Sequence, residues 1–299
     1  MLNQLIYFAD EAKPAQQLAA CCQLPLAQIN RHRFPDDELR LTLPFTTESA
    51  LPDKLIIYRS LDRPNDKLVE LLLIARHAKS LGIKKLILVA PYLAYMRQDI
   101  AFNPGEIVSQ RIVGQFLSDL FDAVITVDPH LHRISKLSDA IPHGDAIALS
   151  GAPRLADLIA EHHSSPLLIG PDAESAQWVS MAAAQLGVDY GVCSKIRTGD
   201  KQVAITLPDL DVKDRNIVLL DDVASSGHTL ANAARLLLEA GAASVDVAIT
   251  HALFADDALD LIKAAGVGAV WSTDCIPHAS NAVSIVPAVV QALQPLVAR

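Results

Sequence analysis

Several features that define common protein classes are scarce or missing in this chain of 299 residues. It has four cysteines and no Cys-x-x-Cys pair, which argues against a disulfide framework and against a cysteine zinc site. We interpret the four cysteines as buried free thiols. Aromatic residues make up only 5% of the chain although 51% of it is hydrophobic. The apolar mass is therefore mostly Ala, Leu, Val and Ile, which suits helices packed on parallel strands.

Basic stretches and long apolar runs are also missing. The formal net charge is −9, and a negative protein is repelled by a phosphate backbone, so no nucleic-acid partner is expected. No uninterrupted apolar run is long enough to cross a membrane. The first residues, MLNQLIYFAD, lack the basic region and cleavage site of a signal peptide. We expect a cytoplasmic protein that does not contact membranes.

What the chain does contain is an alternation of strand-like and helix-like segments. Buried strands that alternate with helices predict βαβ units, and hence an α/β fold with mostly parallel sheets flanked by helices. The length suggests two domains. The predicted strands are Lys54–Tyr58, Lys85–Ala90, Ala123–Val127, Pro166–Ile169, Asn216–Leu220, Ser244–Thr250 and Ala269–Ser272, and clear helical patterns cover Glu106–Leu120, Ala173–Leu186 and Thr229–Ala240.

The two halves of the chain show a weak similarity in sequence pattern. KLIIY at 54–58 leads through RS and LDRPND into a helix, as NIVLL at 216–220 leads through DD and VASSGH into another. Duplication and chance resemblance both explain this pattern. We place the domain boundary between 144 and 145, giving domains 1–144 and 145–299. If the unit is duplicated, the first loop lacks the small residues of the second, and one phosphate site is expected.

The strongest motif is IVLLDDVASSGHTL at Ile217–Leu230. It joins a buried strand to a helix through a Ser/Gly loop, and open α/β sheets bind ligands at the carboxyl ends of their strands. Backbone N–H groups of such a loop and the helix N-terminus suit a phosphate. The acids Asp221 and Asp222 suit the hydroxyls of a ribose, since they would repel the phosphate. The predicted phosphate residues are Ser225, Ser226, Gly227, His228 and Thr229. An ordinary βα turn with a serine N-cap is the alternative.

This loop resembles the ribose-phosphate loop of type I phosphoribosyltransferases and of phosphoribosyl diphosphate synthetases. Further segments favour the synthetases, and they occur in the order of that family: RFPDDEL (Arg33–Leu39), RPND (Arg63–Asp66), PYLAYMRQD (Pro91–Asp99), TVDPH (Thr126–His130) and GPDAE (Gly170–Glu174). The resemblance covers about residues 30–275. It implies two phosphoribosyltransferase-like domains, the first on the ATP side and the second carrying the ribose-phosphate loop.

The resemblance also assigns ligand roles. Phe34 would stack on adenine and acids of the same motif would accept hydrogen bonds from the adenine amino group, while Arg97 and Gln98 would hold the nucleotide and its phosphates. In the family this first motif is offered to the ATP site of a neighbouring subunit, which implies a homodimer or larger assembly. The predicted ATP-binding residues are Phe34, Asp36, Asp37, Glu38, Arg97 and Gln98.

A metal site and a catalytic loop follow from the same resemblance. His130 and Asp172 are similar to the family's magnesium ligands, with His132 as a substitute or support for His130, and Mg²⁺ needs few protein anchors beside substrate phosphates. VCSKIRTGDKQ at Val192–Gln202 is a charged hairpin between two strand-like segments. By resemblance it is the flexible catalytic loop, with Lys195 and Arg197 as the catalytic pair.

The implied reaction transfers the diphosphate of ATP to the C1 hydroxyl of ribose 5-phosphate, giving 5-phosphoribosyl 1-diphosphate and AMP. Three departures from the family pattern stand out: Asp37 replaces a glycine, His228 replaces a glycine, and Glu174 and Ser175 replace a glycine pair. A positive φ at Asp37 would be strained. The alternatives are a phosphoribosyltransferase that consumes the diphosphate sugar and a non-catalytic regulatory homologue.

Overall fold

The structure is a computed structural model that describes residues 2–45, 50–131, 133–197 and 203–298, with side chains left out at 195–197 and 203–204. The chain forms two compact units. The first comprises Met1–Leu149 together with Val286–Arg299, and the second comprises Ser150–Ile285. None of the helices in these described ranges is long and apolar enough to cross a membrane.

The first unit is built on a six-stranded parallel sheet in the order β2-β1-β5-β6-β7-β8, and β3 and β4 form a separate antiparallel hairpin. Helices α2 and α3 pack on one face of the sheet, where the apolar side chains of both layers form the core. Helix α8 contacts α1, β7 and β8. The elements are β1 (Asn3–Tyr7), α1 (Ala12–Cys22), β2 (Leu26–Gln28), β3 (Asn30–Arg33), β4 (Leu39–Thr42), β5 (Lys54–Tyr58), α2 (Pro64–Ser80), β6 (Lys85–Val89), α3 (Ser109–Leu120), β7 (Ala123–Val127), β8 (Asp145–Leu149) and α8 (Val286–Ala298).

The second unit repeats this plan. Its six parallel strands run in the order β10-β9-β13-β14-β15-β16, and β11 and β12 form an antiparallel hairpin. Helices α6 and α7 cover one face of the sheet, and α4 and α5 cover the other. The elements are α4 (Ala152–His162), β9 (Leu167–Gly170), α5 (Ala176–Leu186), β10 (Tyr190–Val192), β11 (Ser194–Arg197), β12 (Val203–Thr206), β13 (Asn216–Ala224), α6 (His228–Glu239), β14 (Ser244–Ala252), α7 (Ala258–Ala264), β15 (Val270–Thr273) and β16 (Asn281–Val283).

The two units therefore share one topology, in which two strands, a hairpin and four further strands follow in the same order. Of the two explanations for the similarity in sequence pattern, this correspondence favours duplication. It pairs β5 with β13, and it pairs the hairpin that carries RFPDDEL with the hairpin that carries Lys195 and Arg197. The expected α/β class with parallel sheets is confirmed.

The predicted domain boundary differs from the observed division in two places. Strand β8, at 145–149, pairs with β7 and belongs to the first unit, which ends at Leu149. The last helix returns to the first unit as well, because the buried amine of Lys54 donates to the carbonyl of Leu296 at 2.9 Å and Asn3 Nδ2 donates to that of Val297 at 3.1 Å. Contacts distant in sequence decide this placement, so local patterns did not reveal it.

The cysteine interpretation holds only in part. Cys193 and Cys275 are buried, Cys22 is half-buried, and Cys21 is exposed; all four are free thiols. The prediction of burial was wrong for Cys21 because it lies in the last turn of α1, on the side that faces solvent.

A buried ion-pair network lies directly after β5. The guanidinium of Arg59 is 1% exposed and contacts Glu70 at 2.5 Å, Asp10 at 2.9 Å and Glu11 at 3.2 Å. It also lies over the ring of Phe8, 4.3 Å from the centroid. Three carboxylates thus surround one buried arginine at the carboxyl end of a central strand.

The charge balance of this network shows in its pKa values. Burial lowers the pKa of Arg59, but Glu11 and Glu70 outweigh that effect and raise it overall. Burial raises the pKa of Glu11 to about 7, against the opposing effects of Arg59 and Lys67. The arginine therefore stays charged, and the charge of Glu11 depends on it.

Replacing Arg59 by Met should destabilise the protein by about 3–5 kcal/mol, because it leaves buried acids without their cation. The loss should be larger at pH 8 than at pH 5. Acids whose folded-state pKa is raised contribute stability below their unfolded pKa and lose it as pH rises through the folded value. Urea unfolding followed by circular dichroism measures both effects. Arg235→Met, which removes an exposed pair of 3.9 Å, is the control and should change little. Equal small effects of both variants would contradict the network's role.

Candidate active site

The DDVASSGHT segment turns from strand to helix more tightly than the sequence suggests. Strand β13 continues to Ala224, beyond the predicted end at Leu220, because Asp221, Val223 and Ala224 keep their pairing with β14. Helix α6 begins at His228, one residue before the predicted start. Only Ser225–Gly227 remain as a loop, so a short run of backbone lies between a buried strand and a helix N-terminus, as anion binding requires.

Gly227 makes this turn possible. It has φ +75° and caps α6, and a Cβ atom at this position would lie 2.8 Å from the carbonyl oxygen of Ala258. A side chain would therefore be strained and would collide with α7. The segment after β14 also supports the loop, since Phe254 N donates to Ala224 O at 2.9 Å and Ala255 N to Ser225 O at 3.0 Å. No sequence pattern indicates this support, because it consists of backbone contacts.

The predicted phosphate residues surround the turn. Gly227 is buried, Ser225 and Thr229 are half-buried, and Ser226 and His228 are exposed. His228, which stands where the family has a glycine, is accommodated at the surface. The turn thus brings hydroxyls and backbone amides close together.

Two adjacent acids precede this loop and lie in the body of the sheet. Asp222 is 2% exposed, and its backbone N–H donates to Asp221 Oδ1 at 2.9 Å. Burial raises the pKa of Asp221 well above its ordinary value, and the nearby carboxylates Asp222 and Asp172 raise it further. Three acids therefore crowd one end of the second sheet. Hydroxyl donors or a cation placed there would relieve this repulsion.

Asp172 belongs to the GPDAE turn after β9. Its Oδ1 accepts a hydrogen bond from Glu174 N at 3.1 Å, and its carbonyl accepts one from the buried Ser175 hydroxyl at 2.5 Å. Gly170 lets Ser175 approach, since a Cβ atom there would lie 2.1 Å from the serine oxygen. Glu174 is exposed. The departure from the family's glycine pair is thus accommodated by a compact turn that fixes Asp172 beside Asp221.

The RFPDDEL segment forms the end of the β3–β4 hairpin in the first unit. Its side chains from Arg33 to Glu38 are exposed, and Phe34 is 38% exposed. The Phe34 ring has Arg40 5.7 Å from its centroid and His32 edge-on at 4.8 Å. An aromatic face held in this way at a protein surface suits stacking by a planar base.

Hydrogen bonds within the hairpin set the positions of its acids. Phe34 N donates to Glu38 O at 2.9 Å, Asp37 N to Phe34 O at 3.0 Å, and Glu38 N to Asp36 Oδ1 at 3.3 Å. Asp37, which stands where the family has a glycine, has φ 69°, the left-handed conformation in which a residue with a side chain is strained. The predicted adenine residues are therefore brought together on one rigid turn.

Arg97 and Gln98 lie on the loop that follows β6. Arg97 is exposed, whereas Gln98 Nε2 donates to Ile100 O at 2.9 Å and to Glu106 at 3.3 Å. The amide nitrogen of Gln98 thus serves its own loop, and a nucleotide contact would use its oxygen. The sequence reasoning missed Gln110, which is buried in α3. Its side chain donates to Met96 O at 3.0 Å and its backbone N–H to Gln98 O at 3.2 Å, so it holds the backbone on both sides of Arg97.

The structure describes the remaining predicted residues to different extents. His130 is half-buried and has φ 52°, two residues after Asp128 with φ 36°, so the TVDPH turn is strained as functional turns often are. His132 lies outside the described residues. β11 and β12 confirm the predicted hairpin, but the side chains of Lys195 and Arg197 lie outside the described part of the chain. Their catalytic role stays a prediction.

The donor chemistry fits magnesium at the second unit's acids. Magnesium prefers oxygen ligands, and a cation near Asp172 and Asp221 would offset the repulsion that raises the pKa of Asp221. Within the described residues, no three His, Cys, Asp or Glu side chains form a ready-made metal cage. The assignment of His130 and Asp172 as magnesium ligands stays a prediction.

Comparison with known proteins covers both units. Residues 4–120 match the family model for the N-terminal domain of ribose phosphate pyrophosphokinase, and residues 148–265 match the phosphoribosyl transferase domain. A ribose-phosphate pyrophosphokinase of Methanopyrus kandleri is 33% identical over 291 residues, spanning 96% of this chain and 97% of the relative. That of Pyrococcus furiosus is 30% identical over 270 residues, spanning 90% and 93%.

A solved structure shares the fold. The crystal structure of phosphoribosylpyrophosphate synthetase from Mycobacterium smegmatis matches with a TM-score of 0.85 over 100% of this chain and 99% of that chain, at 21% identity. Two phosphoribosyltransferase-like domains, each a parallel sheet flanked by helices, are therefore the architecture of this protein. With both halves matched and its relatives covered almost end to end, the chain belongs to the ribose-phosphate pyrophosphokinase family.

Proposed function

We propose that this protein is a ribose-phosphate diphosphokinase that transfers the diphosphate of ATP to ribose 5-phosphate. The observation that carries the proposal is that one chain contains two turns suited to two different ligands. The second unit has acids and a Ser/Gly turn suited to a sugar phosphate, and the first has an exposed aromatic hairpin suited to a purine. A phosphoribosyltransferase needs only the sugar-phosphate turn of the second unit. Joining ATP to the sugar needs that turn and the purine hairpin of the first unit.

The sugar phosphate is assigned to the second unit. Asp221 and Asp222 accept hydrogen bonds from ribose hydroxyls, which compensates for their crowding, and the 225–229 turn receives the 5-phosphate on backbone amides and hydroxyls. ATP is assigned to the first unit, with adenine against Phe34 and the acids of its hairpin, and phosphates near Arg97. The hairpin's exposure supports the view that it completes the ATP site of a neighbouring copy in a homodimer or larger assembly.

In the proposed reaction, the C1 hydroxyl of ribose 5-phosphate gives up its proton to solvent, and its oxygen forms a bond to the β-phosphorus of ATP. The bond from that phosphorus to the α–β bridging oxygen breaks, and AMP leaves with the electron pair. Lys195 and Arg197 stabilise the negative charge that develops on the transferred group and on AMP. Asp172 and His130 are the residues that would bind Mg²⁺ beside the substrate phosphates, and the ion would supply further charge neutralisation.

The proposal predicts AMP release that depends on ribose 5-phosphate when the protein is mixed with ATP and Mg²⁺. Lys195→Ala should lower kcat at least ~100-fold, the scale for loss of one transition-state donor, and should change substrate affinity much less. Lys213→Ala removes an exposed lysine elsewhere in the second unit and is the matched control. A wild-type protein that releases no AMP would overturn the proposed function. A fully active Lys195→Ala variant would remove that residue from catalysis.

The hydroxyl clamp predicts that Asp221→Asn weakens ribose 5-phosphate binding while stabilising the free protein. Loss of a hydrogen bond to a charged acceptor should weaken the sugar ~10- to 100-fold in a calorimetric titration, with ATP affinity unchanged. The apo variant should melt at a higher temperature than wild type at pH 8, by a few degrees, on the order of 1 kcal/mol.

The sign of the stability effect follows from the raised pKa of Asp221. A carboxyl with a raised folded-state pKa destabilises the fold as pH rises through that value, and the penalty vanishes below its unfolded pKa. The advantage of Asn should therefore shrink as the pH is lowered. An Asn variant that is less stable than wild type at pH 8, or that binds ribose 5-phosphate normally, would contradict the clamp.

A further inference from the structure

Two neighbouring residues at the start of α2 contact both segments to which ATP binding is assigned. Asp66 accepts a hydrogen bond from the Arg33 guanidinium at 2.6 Å, and Arg33 is the first residue of the adenine motif. Asn65 Oδ1 accepts a hydrogen bond from the hydroxyl of Tyr95, which lies two residues before Arg97. The RPND motif that contains both residues therefore bridges the adenine hairpin and the loop of Arg97.

The base of this bridge is fixed to the core. The buried amine of Lys67 donates to Ser60 O at 2.8 Å and to Asp62 Oδ1 at 2.6 Å, which holds the turn between β5 and α2. The same turn is joined to the loop of Arg97, because Leu61 N donates to Tyr92 O at 2.9 Å and Tyr92 N to Ser60 Oγ at 3.1 Å. The first turn of α2 is thus a firm support for the two side-chain contacts.

A second charge pair fixes the hairpin along the same helix. Arg31 Nη1 lies 2.7 Å from Glu70 Oε1, and Glu70 is fully buried beside Arg59. Arg31 and Arg33 share one face of β3, since side chains alternate along a strand, and Asp66 and Glu70 share one face of α2 at a spacing of four. Two arginines of the strand therefore meet two acids of the helix, which defines the direction in which the hairpin projects.

The two exposed contacts, Arg33–Asp66 and Asn65–Tyr95, are poor candidates for a purely structural role. In the Arg33–Asp66 pair the side chains are 40% and 63% exposed, and such pairs contribute little to stability. Backbone strain accompanies them in all three segments, with φ 69° at Asp37, 50° at Arg63 and 65° at Tyr95. Strained residues persist where the surrounding structure requires an exact shape, which points to placement of a ligand.

We propose that Asn65 and Asp66 are positioning residues for ATP, which hold the adenine hairpin and the Arg97 loop at a fixed separation and orientation. The inference rests on the proposed function. It deepens that function by assigning a role to the RPND motif, which acts through its contacts with Arg33 and Tyr95. The effect is the same whether the hairpin completes the ATP site of its own chain or that of a neighbour, because a displaced hairpin misplaces the adenine contacts in both cases.

Steady-state kinetics of Asp66→Asn and Tyr95→Phe tests the proposal. The first variant removes the charge of one contact, the second removes the donor of the other, and both keep the shape of the side chain. Each should raise the KM for ATP about fivefold, the factor that corresponds to the upper end of an exposed pair. The kcat should stay within about twofold, the KM for ribose 5-phosphate should not change, and thermal stability should match wild type. A wild-type KM for ATP in both variants would overturn the inference.

A double-mutant cycle separates positioning from a direct role of Arg33. Arg33→Gln combined with Asp66→Asn should raise the KM for ATP no more than Arg33→Gln alone, because both act on the same contact. Additive effects would show that Asp66 acts without Arg33 and would overturn the proposed link. Glu239→Gln breaks a comparably exposed pair with Arg235 in the second unit, and it should leave the KM for ATP unchanged. The wild-type rate in the same assay tests the proposed function separately, since its absence would discredit the function and not the bridge.

Discussion

Repulsion between carboxylates near the carboxyl end of β13 determines what the second unit can bind. Asp221 and Asp222 continue a buried strand, and Asp172 faces them from the turn after β9, so burial and like charge act together on Asp221. Such an arrangement is costly in the free protein and becomes favourable only when hydroxyls or a cation satisfy the acids. The backbone of the Ser225–Gly227 loop, on the same edge, supplies the complementary place for an anion.

At the corresponding position of the first unit the buried charge is positive, and acids of the protein itself neutralise it. Strand β5 matches β13 in the shared topology, and Arg59 and Ser60, directly after β5, correspond to Asp221 and Asp222 within β13. There the charge of Arg59 is neutralised by the protein's own acids, Glu11 and Glu70, and not by a ligand. The turn after β5 then carries Asn65 and Asp66, whose partners lie in the ATP segments. The turn after β13 is thus suited to binding a ligand, and the turn after β5 is suited to holding the ATP segments in position.

Sequence patterns predicted the central strands best. Lys54–Tyr58 and Ala123–Val127 are found with the predicted bounds, because continuous apolar runs between turn residues leave few other options. Strand β13 is longer than predicted, since its pairing with β14 carries two acids into the sheet against their intrinsic preference. Asn3–Tyr7, which is short and begins with polar residues, was missed. Gln110, the Phe254 backbone and the return of α8 depend on tertiary contacts that no local pattern records. The loop and hairpin residues of the site were recognisable because their chemistry is concentrated in short motifs.

The central claim is that one chain brings a sugar phosphate and ATP into a single diphosphate transfer. Phosphorus-31 NMR of the protein with ATP, Mg²⁺ and ribose 5-phosphate tests this claim most directly, because it identifies which phosphorus atoms move. The account predicts AMP together with a new pair of coupled resonances from a diphosphate attached to the sugar. Formation of ADP with a second monophosphate on the ribose, or of AMP with free diphosphate and unchanged ribose 5-phosphate, would contradict it.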